Sequence, residues 1–140
     1  MEIYNLANGI NVFEFEVTAF PEGISEAFKK LVELTGDSAG TRSYFGIVKT
    51  DKEGKSSYYA AAEEKEPGEA EKFGYDKFTI EKGEYLITRI VDWRTKTSSI
   101  KDVFQEMFKD IRIDKKMPCV EWYQNENEMF CMVKTIAANK

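Results

Sequence analysis

IKDVFQEMFKDI, residues 100–111, places Ile100, Val103, Phe104, Met107, Phe108 and Ile111 at spacings of 3, 1, 3, 1 and 3. That period draws one apolar stripe along an α-helix and leaves the opposite side to charged groups. The stripe has an earlier counterpart. In ISEAFKKLV, residues 24–32, Ile24, Ala27, Phe28, Leu31 and Val32 follow at 3, 1, 3 and 1. An offset of 76 residues carries Ile24 onto Ile100 and Phe28 onto Phe104. The same offset carries Tyr44–Ile47 (YFGI) onto Val120–Tyr123 (VEWY), the strand expected after each helix. Upstream of the helices, Ala7–Val17 (ANGINVFEFEV) and Glu81–Val91 (EKGEYLITRIV) each read as a turn glycine followed by a strand. There Gly9 meets Gly83 at an offset of 74, so the second half has a connection two residues longer before its helix.

Each half therefore reads hairpin, helix, hairpin. In the first, Glu2–Leu6 pairs with Ile10–Thr18, and Ser43–Lys49 pairs with Ser57–Glu63 through the turn at Asp51–Gly54. In the second, Lys77–Ile80 pairs with Glu84–Val91, and Cys119–Gln124 pairs with Glu128–Lys134. Gly36 ends the first helix. Ser98 or Ser99 caps the second, with Asp102 favourable in its first turn. Glu63–Gly74 (EEKEPGEAEKFG), with its Pro, Gly and acid run, reads as a loop. Either half alone would be a thin sheet with one helix. The expectation is one α+β domain over residues 1–140, with pseudo-repeat halves of about 1–64 and 74–136. Two helices cover one face of an antiparallel sheet, and a ligand cleft opens between the halves on the other.

Composition narrows the function. The 140 residues are 42% hydrophobic and 14% aromatic, more aromatic than a plain core needs. A formal net charge of -5 argues against a nucleic-acid module. The densest basic run, Lys109–Lys116 (KDIRIDKK), is broken by two aspartates and reads as a solvated helix end. The chain has no histidine, which removes Ser-His-Asp and Cys-His catalysis and His-ligated haem. Its two cysteines, Cys119 and Cys131, form no CxxC motif, so neither a metal site nor a cofactor is expected. They read as free buried thiols or as a cross-strand disulfide. No signal peptide is visible and no apolar run approaches a membrane span, which places the protein in the cytoplasm.

One acid stands out. In Met117–Phe130 (MPCVEWYQNENEMF), Glu121 sits among apolar and aromatic residues. Strand alternation puts Cys119, Glu121 and Tyr123 on one face and Val120 and Trp122 on the other. By the internal offset, Phe45 and Ile47 occupy the matching face of the first half. Glu121 is then either a solvent-facing strand residue or a carboxylate in a partly apolar hollow that pairs with a guest.

Pro118–Tyr123 (PCVEWY) resembles the Pro-x-aliphatic-Glu-x-Tyr strand of the GyrI-like small-molecule-binding domains. Tyr44–Val48 (YFGIV), Tyr58–Glu64 (YYAAAEE) and Phe78–Ile90 (FTIEKGEYLITRI) stand in the order of that family over almost the whole chain. The resemblance implies a duplicated fold with a pocket between its halves. In effector-binding domains of multidrug-responsive transcription activators, an acid at this motif position meets lipophilic cations among aromatics. By position that acid is Glu121, with Tyr123 beside it. Because the first strand starts almost at Met1, a fused helix-turn-helix is not expected. Trp93, at a strand-to-helix corner, is a core plug or a pocket wall. Tyr58 and Tyr59 point oppositely, and Tyr59 is taken for the pocket. Tyr85 is a further candidate.

Two functions follow. The first is binding: the pocket sequesters or senses an amphipathic or cationic aromatic compound, conferring toxin resistance. The second is hydrolysis of strained cyclopropane-containing genotoxins, with Glu121 as the catalytic base and a Tyr hydroxyl on the developing anion. The family name also suggests DNA gyrase as a protein partner.

Overall fold

Alternating apolar residues in eight segments fold as strands, and the two stripes of helical period fold as helices across them. The structure is a computed structural model that describes residues 2–18, 24–36, 42–124 and 127–136. The strands are β1 (Glu2–Leu6), β2 (Ile10–Val17), β3 (Tyr44–Thr50), β4 (Ser56–Glu63), β5 (Asp76–Ile80), β6 (Gly83–Val91), β7 (Cys119–Tyr123) and β8 (Glu128–Lys134). The helices are α1 (Ile24–Thr35), α2 (Glu69–Phe73) and α3 (Ile100–Met107), with 3-10 turns at Trp93–Thr95 and Thr97–Ser99. All strands join one curled antiparallel sheet in the order β1-β6-β8-β7-β3-β4-β2-β5.

The expected second hairpin of each half forms: β3 pairs with β4, and β7 with β8. The expected first hairpins do not. β1 pairs with β6 rather than β2, and β5 pairs with β2 rather than β6. Each half thus gives its first strand to the other half. Read from either end, the strand order is the same once every strand is exchanged for the one four places away. The short connections after β1 and β5 look like hairpin turns in sequence, yet each chain crosses to the opposite end of the sheet.

Both faces are buried. On one, Leu6, Val12, Phe45, Ile47, Ile80, Tyr85 and Val120 belong to a cluster that draws on all eight strands, including both edges. Only a sheet curled onto itself can do this, and among the described residues no helix contributes to that cluster. The opposite face carries the helices. Ala27 and Leu31 of α1 pack on Phe13, Tyr58, Ala60 and Ala62. Ile100, Phe104 and Met107 of α3 pack on Leu86, Ile90, Met129, Cys131 and Val133. The side chain of Ile24 lies outside the described residues.

Three further expectations need correction. The acidic segment before β5 is not all loop: Glu69–Phe73 forms α2, closed by Gly74 at φ 78. Arg42 clamps it, donating to Glu69 at 2.7 and 3.1 Å and to the Glu63 carbonyl at 2.7 Å. The α3 stripe also stops early. Ile111 lies beyond the helix and is 90% exposed. Ser99 occupies the N-cap position of α3, but its hydroxyl donates to the Lys96 carbonyl instead of capping the helix. Both cysteines are free and buried. Among the described residues no helix is long and apolar enough to cross a membrane.

Candidate functional site

β3 and β7 run side by side in the middle of the sheet, and their register decides what surrounds Glu121. Glu121 stands opposite Gly46 on β3 and opposite Cys131 on β8. Opposed residues of antiparallel strands point to the same face. Gly46 has no side chain to fill that space. Tyr58, from β4 beyond it, therefore reaches across β3, and its hydroxyl donates to Glu121 Oε1 at 2.7 Å. The Tyr123 hydroxyl donates to the same oxygen, also at 2.7 Å. A Cβ added to Gly46 would overlap the Tyr58 hydroxyl and Glu121 Oε1 and stand 2.7 Å from Tyr58 Cζ. A glycine inside a strand often marks such a close approach.

Glu121 is only 7% exposed. Among the described residues no Lys or Arg pairs with it, and no hydrogen bond reaches Oε2. Burial pushes Glu121 above the usual carboxylate range, and the two phenols offset only part of that. Burial, and then the charge of Glu121, push the phenols of Tyr58 and Tyr123 well up. The same causes push the Cys119 thiol to about 12 and raise Cys131 as well. The thiols and phenols beside Glu121 therefore stay protonated at neutral pH.

The site lies at the seam between the clusters under α1 and α3. Phe28 of α1 meets the Tyr123 ring edge-on at 5.4 Å, and Trp93 meets it at 4.8 Å. Asp92 turns the chain out of β6 with a left-handed φ of 59, which sets the direction of Trp93.

Of the residues expected to share a pocket, Glu121, Tyr123 and Trp93 come together. Phe45, Tyr59 and Tyr85 do not: all three lie on the helix-free face. The internal offset aligns Phe45 with Glu121, but the register sets Phe45 opposite Trp122, and a shift of one residue reverses the face. Parity likewise exchanges Tyr59 for Tyr58. Tyr85 donates to the Glu81 carbonyl at 2.5 Å. The carboxylate also faces the helices, not the helix-free side where the cleft was expected. Tyr58, Phe28 and Gly46 were missed; the glycine within YFGI was the available signal for the first.

The helix-free face buries a second carboxylate. Glu14, 4% exposed, accepts from the Lys49 ammonium at 2.5 Å through Oε2. That ammonium also lies 4.4 Å from the Tyr59 ring centre and 4.1 Å from that of Phe78. Described residues also line cavities elsewhere. A groove of about 510 Å³ runs between Phe15–Thr18 and α1, and a smaller one of about 230 Å³ lies among Phe78, Tyr85, Val120 and Lys134. Neither is lined by Glu121.

No protein-family model matches the chain, and no curated protein does. Solved structures do. SAV2435, bound to tetraphenylphosphonium, is 15% identical with a TM-score of 0.65, over 95% of this chain and 93% of that one. An integron cassette protein from the mobile metagenome of Vibrio cholerae is 13% identical with a TM-score of 0.62, over 96% and 95%. A candidate bacterial transcription regulation protein from Staphylococcus aureus is 13% identical with a TM-score of 0.59, over 95% and 97%. At these identities the likeness establishes a shared fold.

Proposed function

We propose that this chain is a GyrI-like small-molecule-binding domain whose guest is a lipophilic organic cation held against Glu121. One observation carries the reading. A carboxyl group is buried among aromatic rings, and no described residue supplies a cation to it. An unpaired buried carboxylate is costly, and aromatic faces attract cations. Tyr58, Tyr123, Phe28 and Trp93 supply those faces, and Oε2 supplies the charge. A guest at Oε2 would meet Phe28 and Trp93, which both lie against Tyr123. The shared fold with SAV2435, whose structure holds a tetraphenylphosphonium, supports this class of guest. Such a domain sequesters or senses toxic compounds. The hydrolase alternative gains no support from the site, because both phenols donate to Glu121 itself and not toward a position where an anion would develop.

Titration with tetraphenylphosphonium, followed by Trp93 fluorescence in a Trp122→Phe background, tests the reading. Glu121→Gln should weaken the cation by about tenfold or more. It should leave the neutral triphenylphosphine oxide within about twofold. Equal weakening of both compounds would remove the charge role.

A further inference from the structure

Resting on that reading, we propose that guest and proton compete for Oε2 of Glu121, so that each cation bound expels one proton. Three observations carry this. First, Glu121 is 7% exposed, so a lone negative charge there is held largely away from water. Second, Tyr58 and Tyr123 both donate to Oε1, leaving Oε2 as the oxygen on which a proton or a guest can be accommodated. Third, the described groups around it offer no other neutralisation. They are Cys119 and Tyr123 on β7, Cys131 on β8, Tyr58 on β4 and Tyr44 on β3, with Phe28 and Trp93 against Tyr123. Among the described residues none of these carries a positive charge.

The exchange balances. The empty site holds a neutral carboxylic acid. When the cation enters, the O–H bond of Glu121 breaks, its electron pair stays on Oε2 and the proton leaves to solvent. One positive charge goes in and one comes out, so the buried site is neutral before and after. Neither state buries an uncompensated charge, which is the arrangement that low-dielectric surroundings favour. Two consequences follow. Cation affinity rises with pH while Glu121 of the empty protein is protonated, and it levels off once that group is ionised. Neutral guests, which displace no proton, gain nothing from the rise. Acidification would then unload the domain of cations selectively.

Isothermal titration of the unmodified chain with tetraphenylphosphonium decides the matter without any variant. Measured in two buffers of different ionisation heat, binding should release about one proton per cation. On the acid side the dissociation constant should fall about tenfold per pH unit. Glu121→Gln should bind more weakly and with no pH slope. PH-independent binding without proton release overturns the exchange and leaves the cation reading intact; absence of any binding overturns both. Carbon-detected NMR of the Glu121 carboxyl in the empty protein adds an independent arm. A midpoint above the ordinary carboxylate range supports the exchange, and an ordinary midpoint overturns it.

Discussion

Glu14 and Glu121 sit on opposite faces of one sheet, 4% and 7% exposed. Both are pushed upward by burial. Around Glu14 the chain supplies its own cation, although Oε1 is left buried without a hydrogen-bond partner among the described residues. The Lys49 ammonium lies against the carboxylate and beside two rings, Tyr59 and Phe78. Around Glu121 the rings and the carboxyl group are present, but among the described residues the ammonium is missing and two phenols stand in its place. One site is a filled version of what the other lacks. The comparison shows that burial alone does not identify a binding carboxylate. The deciding question is what the chain uses to neutralise it.

The contrast can be broken most severely at Gly46. Alanine there drives a Cβ into the Tyr58 hydroxyl and Glu121 Oε1, so the phenol–carboxyl cluster must come apart. The expected loss is about 3 kcal/mol, read from the denaturant midpoint, with tetraphenylphosphonium binding lost as well. Lys49→Met sharpens the comparison by making the Glu14 site resemble the other. It removes the only cation that Glu14 pairs with among the described residues, at a cost of about 2 kcal/mol, since the Lys49 side chain is 29% exposed and partly solvated already. Replacing Glu14 by Leu in the same protein should recover most of the loss. The smallest effect is on the pH profile of stability. Because Glu121 is raised in the folded state, its contribution is fully present below the unfolded value of 4.5 and is lost as pH rises through the folded value. Thermal melts across that range should therefore show Glu121→Gln gaining on the unmodified protein as pH rises. A constant gap would mean that the buried group does not titrate differently on folding.

Much of this architecture could be read from residue spacing. The strands fall within a residue or so of expectation because alternation is local, and the stripes of α1 and α3 announce their own period. Gly36, expected to end α1, has a left-handed φ of 66. Partnership between distant strands was not legible. Nothing in Glu2–Leu6 marks β6 as its neighbour, and the glycine-bearing connections after β1 and β5 mimic hairpins. The candidate site was half legible for the same reason. Alternation along β7 joined Glu121 to Tyr123. Choosing between Tyr58 and Tyr59, or between Phe45 and Gly46, required the cross-strand register, where one residue reverses the face. Glu14 and Lys49 were overlooked because they meet across strands 35 residues apart.

The crossing of β1 and β5 has a consequence for how the molecule can be divided. A cut in the segment after β4 would leave each fragment without the edge strand that completes its own half of the sheet. Separated fragments should stay incomplete and regain the native arrangement only on mixing. Two intact chains held at high concentration could lend β1 to one another and close into an intertwined pair without making a single new type of contact.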